Sequence, residues 1–164
     1  MPFYTNDGLA PKCVLAHHFK EMVKTEGFER VSVSALCERS NIRNEAFPHY
    51  FKNKFHLARW VFDSEFFNYV HRKNYGSERA FLMDMGQYFE TEQEYYRALF
   101  ACQIDVIESY AAQRIEQVLC GFKDPCEGHD LARSVMSLLV KKVSEGSFKA
   151  DEICGCLSDA VYHP

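Results

Sequence analysis

The chain has 164 residues, 47% of them hydrophobic and 26% charged, a balance ordinary for a folded soluble protein. Its net charge of −4 argues by itself against a nucleic-acid binder. The charge is unevenly spread, however. Residues 1–60 carry 9 Lys/Arg and 6 Asp/Glu for a net +3, and residues 61–164 carry 10 and 17 for a net −7. A basic head on an acidic body suits a nucleic-acid module joined to a part that must not bind nucleic acid. No run approaches the roughly 18–20 apolar residues a membrane span requires, so no membrane partner is expected. The opening Met1-Pro2-Phe3-Tyr4-Thr5-Asn6-Asp7-Gly8 has no signal-peptide pattern, so a cytoplasmic location is expected.

Helical periodicity dominates, and no sustained alternation marks a half-buried strand. The first helix is expected over Pro11–Glu26, with Leu15, Phe19, Met22 and Val23 on one apolar stripe. Gly27 stops it and Phe28 tucks back under the turn. Ser32 is the N-cap of a short second helix through Arg39, with Val33, Leu36 and Cys37 inward. Asn41 tolerates the left-handed backbone of a sharp turn. A third short helix is expected over Arg43–Tyr50, and Asn53 caps a long fourth one carrying Leu57, Trp60, Val61, Phe66 and Phe67. Further helices are expected over Glu78–Phe89, Glu92–Phe100 and Gln103–Cys120, the last with a stripe at Ile104, Ile107, Ala111, Ile115, Val118 and Phe122. The run Lys123-Asp124-Pro125-Cys126-Glu127-Gly128 reads as a loop. Helices over His129–Ser144 and Asp151–Tyr162 follow, separated by Glu145-Gly146-Ser147, the last holding Ile153, Leu157 and Val161. The fold class is all-α: a three-helix helix-turn-helix head over residues 9–53, then a helical bundle over 54–164.

Seven cysteines (Cys13, Cys37, Cys102, Cys120, Cys126, Cys154, Cys156) form no C-x-x-C pair, and we expect reduced thiols packed as small apolar residues, with redox sensing as the alternative. His17 and His18 are adjacent and so diverge by roughly 100° on a helix, too far to clamp one metal. No nucleophile–base spacing, Gly-rich phosphate loop or H-E-x-x-H pattern is present. We therefore expect no enzyme activity, no cofactor and no metal.

Two short helices around a tight turn, behind a longer one, make the helix-turn-helix pattern, whose third helix lies in the major groove. The stretch Val31-Ser32-Val33-Ser34-Ala35-Leu36-Cys37-Glu38-Arg39-Ser40-Asn41-Ile42, followed by Phe47, Phe51, Lys54 and Leu57, resembles the TetR family. Ala46-Phe47-Pro48-His49-Tyr50-Phe51-Lys52-Asn53-Lys54-Phe55-His56-Leu57, continuing into Trp60-Val61-Phe62, looks most like the branch of dihydroxyacetone kinase operon regulators. The resemblance covers about residues 12–67. It implies a ligand-responsive regulator, most often a repressor, that binds double-stranded DNA as a homodimer and responds to a small-molecule effector.

The same resemblance places DNA contacts at Ser34, Arg43, Asn44, Glu45, His49, Tyr50 and Lys54, with Lys54 at the family's phosphate-binding lysine and Lys12 a weaker candidate. Phe47, Phe51 and Leu36 are core. Trp60, Phe66, Tyr88, Tyr96, Phe100 and Tyr110, with Tyr95 and Cys102, are candidates to line an effector cavity, against the reading that rings at helical spacing simply fill a core. The last two long helices, 129–144 and 151–162, are the expected dimer interface. Pro48 departs from the family, which has Tyr there. Proline inside a helix costs roughly 3 kcal/mol, so the third helix is expected to start late or to kink. The alternative reading is therefore a TetR-fold protein whose degenerate helix-turn-helix has lost specific DNA recognition and which works through ligand or protein contacts.

Overall fold

The local chemistry of helix ends sets the architecture of the head. The computed structural model describes residues 9–102 and 105–161, with side chains through Gly155, and every regular element among them is helical. The first, α1 (Leu9–Glu26), starts two residues before the expected Pro11 and buries Leu15, Phe19, Met22 and Val23. Gly27 ends it with a φ of 83°, a backbone conformation open to glycine at no steric cost. A 3-10 turn (Phe28–Arg30) then carries Phe28 into the core. Ser32 caps α2 (Val33–Arg39) as expected, its Oγ accepting the Ala35 N–H at 3.1 Å. Asn41 turns the chain at φ 54°.

The expected helix over Arg43–Tyr50 is split. A 3-10 turn (Asn44–Ala46) leads into the short α3 (Phe47–Tyr50), with Pro48 in its first turn. There the missing N–H would have had no intrahelical acceptor, so proline is tolerated at little cost. The helix is shortened rather than kinked.

Asn53 caps α4 (Lys54–Phe62), its Oδ1 accepting the His56 N–H at 2.9 Å. The helix runs on through a π turn (Asp63–Phe67) into α5 (Asn68–His71). The long fourth helix expected here is thus interrupted by the π turn. The body follows as α6 (Glu78–Thr91), α7 (Gln93–Phe100), α8 (Asp105–Leu119), α9 (Pro125–Glu145) and α10 (Ala150–Val161). The expected loop through Gly128 is corrected: Pro125 opens α9, and Gly128 is already buried in it. Proline at a helix start and in a loop looks alike in sequence. Gly146, at φ 85°, ends α9 as expected. Ile104, Tyr162 and the side chains of Cys156, Leu157 and Val161 lie outside the described residues.

One continuous apolar core joins head to body, from Leu36, Phe47 and Phe51 through Val61 and Phe66 to Ile115, Leu139 and Ile153. Helix α1 packs on α7 as well as on α2 and α4, so the head is seated on the body through its first helix. Among the described cysteines, Cys37 and Cys154 are buried and Cys13 and Cys126 exposed. No group of described residues could hold a metal ion, and no described helix is long and apolar enough to cross a membrane.

Candidate nucleic-acid interface

The turn between α2 and α3 puts most of the expected DNA-contacting residues on the surface. Arg43 has extended backbone just ahead of the 3-10 turn and is exposed, as are Asn44 and Glu45 within it and His49 in α3. Ser34, in the first turn of α2, is exposed and joined to that turn: Asn44 Nδ2 donates to Ser34 Oγ at 3.4 Å. The start of α2 and the approach to α3 therefore form one polar surface. Tyr50 is half-buried. Behind this surface Phe47 and Phe51 are buried, with ring centroids 6.0 Å apart.

Lys54, which the resemblance sets at the family's phosphate-binding lysine, is engaged within the fold. Its ammonium donates to three carbonyl oxygens at the end of the first helix–turn segment: Phe28 at 2.9 Å, Glu29 at 3.2 Å and Val31 at 3.2 Å. It also lies 4.6 Å from the centre of the Phe28 ring. An ammonium has three protons, and three carbonyls take them. In this arrangement Lys54 ties the start of α4 to the chain between α1 and α2.

Nearby positive charge comes from residues that the sequence reading passed over or ranked low. Lys52 is exposed, and its backbone N–H donates to His56 Nδ1 at 3.1 Å. The His56 pKa is held below its ordinary value, first by partial desolvation of the ring and then by the charges of Lys52, Lys12 and Arg59. Lys52 and Lys12 thus act on the start of α4, whereas Arg59, in its last turn, lies 5.0 Å from the centre of the Tyr110 ring. Lys12 also lies 5.7 Å from the Phe51 ring centre. The sequence signal was the pair Lys52 and Lys54 flanking the Asn53 cap, of which only one was singled out.

The ring residues expected to line an effector cavity separate into two groups. Phe66, Tyr88, Tyr96 and Phe100 are packed together: Phe66 stacks on Tyr88 at 5.0 Å, Tyr88 meets Tyr96 at 5.9 Å, and Tyr96 meets Phe100 at 5.5 Å. The Tyr88 and Tyr96 hydroxyls hydrogen-bond at 2.9 Å, and desolvation pushes both phenols well above their usual pKa. Tyr95, also buried, links this cluster to the head through Phe19 at 6.4 Å. Cys102 is half-buried, its Sγ 3.9 Å from the Ala98 carbonyl. Trp60 stands apart, its ring 5.7 Å from Phe51. Tyr110 also stands apart and donates to Asp63 in the π turn, a carboxylate held as well by Arg114 Nε at 3.0 Å.

A second polar joint crosses from head to body. Lys20 of α1 donates to Glu65 in the π turn at 2.8 Å and to Glu92 at the α6–α7 corner at 2.6 Å. Both carboxylates of this joint, and Asp63 of the other, are far from their partners in sequence, so no local pattern announced them.

No family model matches the chain. Among curated proteins, the HTH-type dhaKLM operon transcriptional activator DhaS of Lactococcus lactis is 26% identical over 89 residues, which are 53% of this chain and 47% of that protein. The matching region thus spans about half the length of that relative. Among solved structures, the dihydroxyacetone kinase operon activator DhaS superposes with a TM-score of 0.72 at 16% identity, covering 93% of this chain and 95% of that one. The TetR family repressor AlkX from Dietzia sp. gives a TM-score of 0.60 at 12% identity, with 92% of each chain covered. The multidrug binding protein EbrR gives 0.61 at 13%, covering 93% and 96%. At these identities the structural likeness is one of fold. The chain has the all-helical fold of TetR-type regulators. In sequence over half its length, and in fold over nearly all of it, it resembles the DhaS branch.

Proposed function

We propose that this protein is a DNA-binding transcriptional regulator that acts as a homodimer and answers to a small-molecule effector. Residues 9–53 are its reading head and residues 54–164 its dimerisation and effector body. The observation that carries this reading is the accommodation of Pro48. It sits where helix geometry does not need its N–H, and Ser34, Arg43, Asn44 and His49 stay exposed around an intact turn. Arg43 and Asn44 suit base edges or phosphate, Ser34 a phosphate near a helix N-terminus, and Glu45 a cytosine amino group. His49 and Tyr50 would take over part of the contact that the family's tyrosine makes. Lys52 is the better candidate for a free phosphate-binding ammonium, because the Lys54 amine already has three acceptors.

The pairing of α9 and α10 with their symmetry mates would set two heads about 34 Å apart, one turn of duplex. The outer face of α9 is open to such a contact, with Arg133, Ser137 and Lys141 exposed along a shallow groove. The packed rings of Phe66, Tyr88, Tyr96 and Phe100, with Trp60 and Tyr110 at the edges of the body, are the proposed effector-responsive region. The resemblance to the wider family favours repression, whereas the DhaS relative is named an activator; a promoter–reporter fusion separates the two.

The test is titration of the protein against duplexes from its own upstream region at several salt concentrations, beside Arg43→Ala and Lys52→Ala. Sequence-selective binding that Arg43→Ala weakens, with a salt slope that Lys52→Ala flattens, is the expected result. Weak binding, equal for every duplex and indifferent to both changes, would instead favour the TetR-fold protein without specific DNA recognition.

A further inference from the structure

A cleft of about 380 Å³ opens between α1, α4 and the α6–α7 corner, outside the packed rings of the body. That is within the usual range for small-molecule sites. Its walls come from the three elements that seat the head on the body, and two of its residues, Ser64 and Glu65, belong to the π turn. Such turns occur in helices most often at functional positions.

The charges in the wall determine what the cleft can take. Lys20 lies between Glu65 at 2.8 Å and Glu92 at 2.6 Å, and Lys24 is paired with Glu21 at 2.9 Å. Three carboxylates thus face two ammonium groups, and both ammonium groups are already engaged. Apart from the exposed His17 ring, an anion would have to break one of these pairs to find a nitrogen donor among the lining side chains. A cation meets an uncompensated carboxylate charge without breaking anything. Trp60 adds an indole to the same wall, the side chain best suited to attract an ammonium through its π system. Ala16 and Leu9 supply apolar surface for the rest of such a molecule.

We infer that this head–body cleft is a binding site for a small organic ammonium ion, held between the Glu65–Glu92 carboxylates and the Trp60 indole. A bound ammonium gives the carboxylate pair a second counter-charge and adds contacts between α1 and the α6–α7 corner. The site is separate from the DNA-facing surface and from the packed rings of Phe66, Tyr96 and Phe100, and it shares Trp60 with the proposed effector-responsive region.

Trp60 is the only tryptophan of the chain, so the tryptophan emission has a single source, in this wall. The experiment titrates the full chain, without DNA, with benzyltrimethylammonium chloride and, at matched ionic strength, with sodium benzoate. A saturable change in Trp60 emission with the ammonium and none with the carboxylate is expected. Glu92→Gln removes one of the two carboxylates and weakens the ammonium roughly tenfold. Cys13→Phe changes an exposed residue of the cleft lining without touching the ion pairs, fills the cleft, and abolishes saturation. No saturable change, an equal response to benzoate, or undiminished saturation in Cys13→Phe overturns the proposal. If circular dichroism shows that Glu92→Gln does not fold, Cys13→Phe decides alone. Because no duplex is present, failure here leaves the DNA-binding reading untouched.

Discussion

Lys20 and Glu92, 72 residues apart in the chain, meet at 2.6 Å and fasten the first helix of the head to a corner of the body. Glu65 completes the joint from the π turn. The Lys20 side chain is only 13% exposed, so its charge is largely withdrawn from water and depends on the two carboxylates. Lys20→Ala leaves Glu65 and Glu92 facing one another without a counter-ion. We expect a loss of about 1–3 kcal/mol, read as a lower urea midpoint with an unchanged slope. Lys20→Met keeps the aliphatic stem but not the charge, and should lose less than the alanine variant only if packing of the stem matters as much as the charge.

Lys54 makes a parallel prediction at the other end of the head. Lys54→Ala removes three hydrogen bonds to carbonyls and the cation–π contact with Phe28. The expected cost is about 1–2 kcal/mol, since the carbonyls can still reach water. Arg43→Ala touches nothing in the fold and should leave the thermal midpoint unchanged. If Lys54 were chiefly a phosphate ligand, its removal would instead weaken duplex binding and leave stability intact.

These two lysines show what was and was not legible in the sequence. Ser32, Asn41 and Asn53 were readable because a cap or a left-handed turn is a local transaction between a side chain and backbone within three residues. Pro48 was readable as a problem, and its resolution by a late helix start was one of the two outcomes the steric argument allowed. The direction of the Lys54 side chain was not readable, because carbonyls 23 to 26 residues earlier decide it. The π turn at Asp63–Phe67 left no compositional trace. It carries Asp63, held by Tyr110 and Arg114 of α8, and Glu65, held by Lys20 of α1. The start of α9 was misplaced because Pro125 and Gly128 punctuate loops and helix starts equally well.

His56 gives a pH dependence with a definite sign. Its Nδ1 accepts the Lys52 N–H, which requires that nitrogen to be unprotonated, and its pKa in the fold lies below the ordinary value near 6.5. Below that value the unfolded chain binds the proton more readily than the folded one. Its contribution is therefore fully present above about pH 6.5 and is lost as pH falls through the lower folded value. Urea midpoints measured from pH 7.5 to 5 should fall more steeply for the natural protein than for His56→Gln. Parallel curves would show that other groups set the acid limb.

Gly86 marks a close approach of two body helices, α6 and α10. A Cβ built there would lie 3.1 Å from both the Cα and the carbonyl oxygen of Ala150, at the start of α10. Alanine in place of a mid-helix glycine normally gains about 1 kcal/mol of helix propensity. Here the obstacle is backbone, which cannot rotate away, and overpacking of this kind costs about 1–3 kcal/mol. Gly86→Ala should therefore be neutral to destabilising in thermal unfolding. A clear stabilisation would mean that α10 can slide outward without loss.

Pro48 is where fold and function separate most cleanly. The side chain is exposed and in the first turn of α3, so replacing it should barely alter stability. By resemblance to the TetR family, a tyrosine at this position reaches a phosphate, a hydrogen bond that proline cannot make. Pro48→Tyr should then tighten binding to the cognate duplex by about tenfold, the equivalent of one charge-assisted hydrogen bond, while Pro48→Ala does not. Filter binding or anisotropy at fixed salt resolves a change of that size. Equal affinities for the three proteins would mean that α3, shortened as it is, does not bring this position to the DNA backbone, and reading would then fall to Arg43, Asn44 and Ser34 at the head of the turn.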